Sequence, residues 1–346
     1  MSQDSPSHNL FSVSSDDHDT SASSSDRFFR FLDAYLLAPA RIAATDWRMW
    51  AGTAIITFFI VLGAISWVST SDWWIFEDIV IVPVATLNQA PPFTPAFVNS
   101  YVPLGTDRFG RSISKRLVHA TPPVLQMAFA GAVVSTGIAV VIGTTAGYKG
   151  GRVDDILMTV TDIVMTIPAL PLIIVLAAII RPEDPFIVGM ILAIDNWPGL
   201  ARSLRSQVLT IRSESFVEAA RVMGVGSSTV LRRDVVPQLM PYIMINGATS
   251  ARAVIFESVA LYFLSILPFS NYNWGVMMNN AYNAGAMSNL GRAGHWLYAP
   301  MILLIFFSLG LILFSQGMDR VFNPQLRARH AKTVGGESED VDVMDP

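Results

Sequence analysis

The chain has 346 residues, of which 52% are hydrophobic and only 14% charged, with a formal net charge of −4. A soluble domain carries roughly one charged residue in four, so the composition belongs to a protein embedded in lipid. Cysteine is absent, which excludes disulfides, thiolate metal sites and a cysteine nucleophile.

Residues 1–48 are polar and rich in Ser and Asp, as in Ser14-Ser15-Asp16-Asp17, and cannot bury enough apolar surface to offset chain entropy. They are expected to form a disordered cytoplasmic tail. No short apolar region with a small-residue cleavage site precedes the first long apolar run, so a retained anchor is expected in place of a cleaved signal peptide.

Six segments approach the ~20 apolar residues needed to cross the ~30 Å of a bilayer core. They are Ala51 to Val68, Val124 to Gly147, Ile156 to Ile180, Phe186 to Arg202, Pro237 to Leu267 and Trp296 to Gly317. The expectation is an all-α membrane protein with six transmembrane helices. Residues 49–70 form the first helix, flanked by Trp47, Trp50, Trp67, Trp73 and Trp74 like an interfacial aromatic belt. Residues 71–121 are expected as an extracellular loop with a short helix, 122–317 as the transmembrane core, and 318–346 as a largely disordered cytoplasmic tail containing Glu337-Ser338-Glu339-Asp340. Pro168 and Pro171 predict a kink in the third span. The fourth is short and carries Asp195, Asn196 and Pro198.

With the amino terminus inside, sixteen Lys and Arg face the cytoplasm and six face outward. The inverted topology would reverse that ratio against the positive-inside rule. Both termini and the polar stretch between the fourth and fifth spans are therefore assigned to the cytoplasm.

That polar stretch reads Ser215-Phe-Val-Glu218-Ala219-Ala220-Arg221-Val-Met-Gly224-Val-Gly226 and closes on Val235-Val236-Pro237. Small Ala219 and Ala220 let a short helix lie close against a partner's groove, and Gly224 suits the positive φ of a sharp reversal. Ser215 and Glu218 also have the spacing of a capping box, which any surface helix could use. The glycine stands six positions after the Glu and the proline nineteen after it, and in this the stretch resembles the EAA loop of the membrane subunits of ABC importers.

Further segments carry the same resemblance. Leu104-Gly105-Thr106-Asp107-Arg108-Phe109-Gly110-Arg111 is similar to the segment before the transport core in the dipeptide, oligopeptide and nickel branch, in particular its second permease. Ala146-Gly147-Tyr148-Lys149-Gly150-Gly151-Arg152-Val153-Asp154 resembles the branch's glycine-rich turn, with Asp154 suited to a helix amino terminus. Trp197-Pro198-Gly199 and Ala253-Val-Ile-Phe-Glu257-Ser-Val-Ala-Leu261 follow in order. The sequence departs from the pattern at Asp234, where a histidine is frequent, at Ser265 and Leu267, where glycines are usual, at Asn323 and at Arg252.

The resemblance implies a type I ABC importer permease architecture, with a coupling segment at about 205–236 in which Glu218, Ala219, Ala220, Gly224, Asp234 and Pro237 engage an ATPase. It implies a second homologous permease, two ATPase subunits holding ATP and Mg, an extracellular solute-binding protein, and a multi-pass place in the cytoplasmic membrane. The solute would be peptides, nickel or oligosaccharides. This chain itself would be no enzyme and hold no cofactor. The sequence contains no Gly-Lys dipeptide for a P-loop. His8, His18, His119, His295 and His330 are scattered singly and read as surface residues rather than metal ligands. Arg232-Arg233 obeys the positive-inside bias more simply than it suggests a nucleic-acid contact.

Charges within spans are the remaining candidates for a role. A charged residue at a span's centre costs ~2.5–3.5 kcal/mol on insertion scales, so it should avoid lipid. Asp162 is expected to reach headgroups or cap a turn. Arg252 and Glu257 lie in the fifth span, and a five-residue separation puts them about 140° apart on a helix, which disfavours an intrahelical pair. They are candidate pathway residues, with packing as the alternative. A secondary transporter driven by an ion gradient, using Asp162, Asp195, Arg252 and Glu257 as a relay, is the second functional reading; the inverted repeats it calls for are not visible in the sequence.

Overall fold

Local chemistry sets where each helix begins and ends, and the computed structural model describes residues 46–70, 90–268 and 273–322, all within the unit Ala43–Pro346. Residues 1–45 and 323–346 of the expected tails, 71–89 of the expected outer loop, and with them Trp73, Trp74, His8, His18, His330 and Asn323, lie outside the described residues, while 318–322 of the expected carboxy-terminal tail are helical. Among the described residues the regular structure is helical, apart from one isolated antiparallel bridge between Thr106 and Ser112.

Helix α1 spans Trp47–Thr70. Its Phe59 is fully buried, with its ring centroid 4.5 Å from that of Phe307 and 5.7 Å from that of Trp274. Residues 90–112 form turns with no helix. Asp107 organises them: its fully buried carboxylate accepts from the backbone N–H of Phe109 (2.8 Å) and Arg111 (3.0 Å), from Arg111 Nε (2.7 Å) and from Arg116 Nη1 (2.9 Å). A buried carboxylate is tolerated only when it is saturated in this way.

Helix α2, Ile113–Lys149, follows directly. At 37 residues and ~1.5 Å per residue it outreaches the bilayer core by nearly a factor of two. It starts eleven positions before the apolar run and continues through Pro122 and Pro123. This scaffold packs against α1 and most of the later helices.

The third and fourth segments depart from single unbroken spans. The third divides into α3, Gly151–Thr166, and α4, Ala169–Ile180, bent by 87° at Ile167–Pro168. Pro168 removes a donor and disfavours the helical conformation of the residue before it, and the result is a break in place of the expected kink. The fourth divides into α5, Pro185–Leu192, and α6, Trp197–Ile211, around a turn through Asp195 and Asn196. Asp184 starts α5 by accepting from the Phe186 N–H at 2.7 Å, an N-cap followed by proline.

After α6 come the short helix α7, Ser215–Val222, one turn of helix α8, Ser227–Val230, and a π-helical turn, Leu231–Val235, that runs into α9, Val236–Phe263. Helix α10, Trp274–Asn283, covers the far end of α9, and α11, Leu290–Phe322, returns beside α1. Among the described residues α1, α2 and α11 are each long and apolar enough to cross a membrane, and α3 with α4 adds a fourth if the bent pair is one span.

Apolar packing falls into three clusters. One gathers Phe59, Trp274, Trp296 and Phe307; a second Met127, Ile173, Leu192 and Tyr262; the third, around Trp197, Leu204, Val208, Val217 and Leu239, underlies α7.

Candidate functional site

The approach of α6 to α2 prepares the platform for α7. A Cβ on Gly143 would lie 2.3 Å from the Ala201 carbonyl oxygen, and one on Gly147 2.8 Å from that of Arg205. The four-residue spacing of the two glycines brings the backbones together, as small residues do at membrane helix crossings. Polar bonds then tie α6 to α3. Arg205 donates to Asp154 through Nε (2.5 Å) and Nη2 (2.6 Å), and Arg202 pairs with Asp162. The bond to Asp154 raises the Arg205 pKa above its already high ordinary value, opposed more weakly by burial, and keeps the guanidinium charged.

From this base α7 projects with one anchor. Val217 is fully buried, whereas Phe216, Glu218, Ala219, Val222 and Met223 are exposed and Ala220 is half-buried. Val222 and Met223 leave 83% and 74% of their surface open, an apolar tip that the described residues do not cover. The helix closes in a Schellman motif: the Gly224 N–H donates to the Arg221 carbonyl and the Val225 N–H to that of Ala220, both at 3.0 Å. Gly224 has φ +75°, the left-handed conformation this motif requires.

The capping box expected from Ser215 and Glu218 does not form. The N-cap position is Glu214 and no side chain caps the helix, because the chain enters one residue earlier than the pattern placed it. Asp234 is half-buried in the π-helical turn and Pro237 occupies the first turn of α9. Thus Glu218, Ala219, Ala220 and Gly224 share one short projection, while Asp234 and Pro237 belong to the returning strand of chain. Arg221 lies over the Tyr148 ring at 5.6 Å and Arg212 donates to the Gly147 carbonyl at 3.2 Å, so the end of α2 supports the projection on a second side.

The two charged residues of α9 face different neighbours. Glu257 meets the turn between α5 and α6, where Asn196 Nδ2 lies 3.3 and 3.4 Å from its carboxylate oxygens and also reaches the Leu192 carbonyl (2.9 Å) and Asp195 Oδ1 (3.2 Å). Arg252 lines a hollow against α11. Sequence reasoning separated the pair correctly but supplied no partner for Glu257, since Asn196 stands 61 residues away. Asp162, expected at headgroups or a cap, is exposed in its ion pair with Arg202. His119 and His295, expected on the surface, are half-buried and hydrogen-bonded, with Ser66 Oγ at 3.1 Å and the Thr106 carbonyl at 3.3 Å respectively. Among the described residues no group of three His, Cys, Asp or Glu is placed to hold a metal.

Residues 139–328 match the family described as binding-protein-dependent transport system inner membrane component. The chain belongs to this family. It is 30% identical over 228 residues to the dipeptide transport system permease protein DppC of Bacillus subtilis strain 168, covering 64% of this chain and 68% of that protein. It is 28% identical over 224 residues to the oligopeptide transport system permease protein OppC of the same strain, covering 64% and 72%. Identity is 26% over 230 residues to the di/tripeptide transport system permease protein DppC of Pseudomonas aeruginosa strain UCBPP-PA14, covering 65% and 72%. The matched span contains α6, α7, the π-helical turn and α9 whole. A binding-protein-dependent inner membrane component is a permease subunit of an ABC importer, and this membership sets aside the ion-gradient transporter.

Proposed function

We propose that the chain forms half of the translocation path of an ATP-driven peptide importer and that α7 is its coupling element. The exposed projection carries the reading: Glu218, Ala219 and the apolar tip of Val222 and Met223 stand clear of the other described residues, on a base held by α2, α3 and Val217. Bare apolar surface at a helix tip fits a groove in a partner protein. Glu218, Ala219, Ala220 and Gly224 form the docking surface, and Asp234 and Pro237 set how the chain re-enters the bundle. The partners are a second homologous permease, two cytoplasmic ATPase subunits that hold ATP and Mg, and an extracellular solute-binding protein. The names of the relatives support peptides as solute.

In this reading 122–317 is the transport core, six segments cross the cytoplasmic membrane although two are broken, and both termini lie inside. Broken helices are tolerated at membrane depth where they are buried in protein or line a cavity. Glu257, held by the α5–α6 turn, faces the path. ATP-driven closure of the ATPases moves α7, and the stiff α6–α2–α3 contact passes the motion to the spans, which alternate between inward- and outward-facing cavities. Coupling requires that the two states differ in affinity for the ATPases. The chain performs no bond chemistry.

The test is uptake of a labelled tripeptide into vesicles that hold the complex with its co-purifying subunits, binding protein outside and ATP inside. Uptake that needs ATP and survives collapse of the ion gradients is expected. Uptake without ATP, driven by an ion gradient, would contradict the proposal.

A further inference from the structure

Arg252 is a charge on α9, the fifth span of the reading above, without a counter-charge among the described residues. It is half-buried, and among the described residues no hydrogen bond or ion pair reaches its guanidinium. Such a charge is stable at membrane depth only if something anionic or water meets it. The guanidinium lies beside a hollow of about 320 Å³ formed by Ala248, Thr249 and Arg252 of α9 with Leu311, Ile312, Ser315 and Gln316 of α11. No carboxylate is among these residues.

The hollow has a chemical direction. Helix α11 runs towards Arg320, which pairs with Asp46 at the start of α1 (3.3 Å) and marks the boundary proposed above as cytoplasmic. Ser315 and Gln316 lie about one turn short of that boundary, and Leu311 and Ile312 one turn deeper. The hollow is therefore apolar inwards and polar outwards. Helix α9 runs the opposite way, so Arg252 starts deeper, and side chains of a helix lean towards its amino terminus, here the cytoplasmic end. Arg252 shares the lining of the hollow with Ser315 and Gln316, and snorkelling towards them is the arrangement that takes its charge away from the apolar end.

The polar rim is built to donate. Arg48 Nη1 donates to Gln316 Oε1 at 3.1 Å, which leaves the Gln316 Nε2 protons free for another acceptor. Thr249 spends its hydroxyl proton on the Ile245 carbonyl at 3.1 Å, while the Ser315 hydroxyl has no partner among the described residues. Arg252, Gln316 and Ser315 line the same hollow, whose volume of about 320 Å³ has room for a tetrahedral oxyanion, and Leu311 and Ile312 line it with apolar surface that suits an acyl chain.

We propose that this hollow binds the phosphate of an acidic phospholipid from the cytoplasmic leaflet, with Arg252 as its principal ligand and the acyl chain against Leu311 and Ile312. The site rests on the orientation proposed above and is independent of the solute and of ATP-driven uptake. A basic pocket between spanning helices at the cytoplasmic side has the chemistry that selects acidic headgroups over zwitterionic ones.

The test is titration of the delipidated full-length chain, with the subunits that accompany it, by phosphatidylglycerol and phosphatidylcholine, read by native mass spectrometry. Phosphatidylglycerol should bind more tightly. Arg252→Met should weaken its tightest binding about fivefold, the factor for one basic residue at an anionic leaflet, while Arg320→Gln leaves it unchanged. Ser315→Leu, which fills the hollow and keeps the arginine, should give the same loss as Arg252→Met and covers failure of that variant to assemble. Unchanged phosphatidylglycerol binding in both hollow variants would overturn the site. Displacement of the lipid by millimolar inorganic phosphate would overturn the lipid assignment in favour of a free anion. Departure of an accompanying subunit from Arg252→Met with lipid affinity intact would move the arginine to a subunit interface. Failed peptide uptake with normal lipid titration would count against the proposed function alone.

Discussion

Arg205 grips Asp154 with two parallel bonds, at 2.5 and 2.6 Å, and by them fastens the helix that leads into α7 to the first turn of α3. Asp154 is buried while Arg205 keeps about a third of its side chain open. Fork-to-carboxylate geometry of this kind is stiff, because both partners are planar and the bonds are charge-assisted. Whatever displaces α7 must therefore displace α6 and α3 together.

Asp154→Asn is accordingly expected to destabilise the α3–α6 contact by about 2 kcal/mol, the order of a hydrogen bond to a charged group, and to reduce uptake per ATP hydrolysed. Asp162→Asn breaks a pair whose side chains are 52% and 57% exposed, and should cost less than about 1 kcal/mol. Melting of the solubilised complex, with uptake and hydrolysis counted together, checks both. Equal losses would show that the double bond has no special standing.

Gly224 yields a second contrast. A Cβ there would meet nothing within 4 Å, but φ is +75°, so the obstacle to substitution is the backbone and not space. Gly224→Asn, which tolerates that conformation, should retain most uptake. Gly224→Val should lose it, with about 1–2 kcal/mol of local strain opening the Schellman closure. Similar uptake by both variants would contradict the turn's role.

The glycines of α2 were legible in the sequence only as small residues in an apolar run; their meaning depends on α6, more than fifty residues away. Gly143→Ala should impair assembly, since its Cβ would collide with the Ala201 carbonyl, whereas Gly137→Ala meets open space and should be silent. The yield of monodisperse protein from membranes distinguishes them.

What the sequence carried well was local. The reversal at Gly224 and the separation of Arg252 from Glu257 follow from glycine chemistry and helix period within a dozen residues, whereas α7 begins one residue earlier than the capping-box pattern placed it. Proline chemistry located the change of direction at Pro168, but a kink and an 87° break share one signature until the neighbouring helices are known. The interruption at Asp195 and Asn196 showed only as lowered apolarity. Asn196 as the partner of Glu257, Arg202 as that of Asp162 and Arg205 as that of Asp154 are tertiary facts, with 40 to 61 residues between partners. The capping box failed for the opposite reason: its spacing is so short that many chains meet it by chance.

Orientation can be read directly because the chain has no cysteine. Ser227→Cys, exposed beside α7, is expected to react with a maleimide from the cytoplasmic side only. Ser288→Cys, exposed between α10 and α11, should react with an impermeant maleimide applied outside. Exchange of the two patterns would invert the proposed topology.

The most direct measurement of the coupling role uses Ala219→Arg. Ala219 is exposed on α7, so the isolated chain accommodates the larger side chain and only a docked partner would refuse it. Binding-protein-stimulated ATP hydrolysis and peptide uptake are measured on the same reconstituted vesicles, beside the wild type. The expected result is a complex that reaches the membrane but loses both stimulated hydrolysis and uptake by tenfold or more, the effect of about 1.4 kcal/mol or more of lost docking. Stimulated hydrolysis and uptake at wild-type levels would contradict the assignment of α7 as the coupling element.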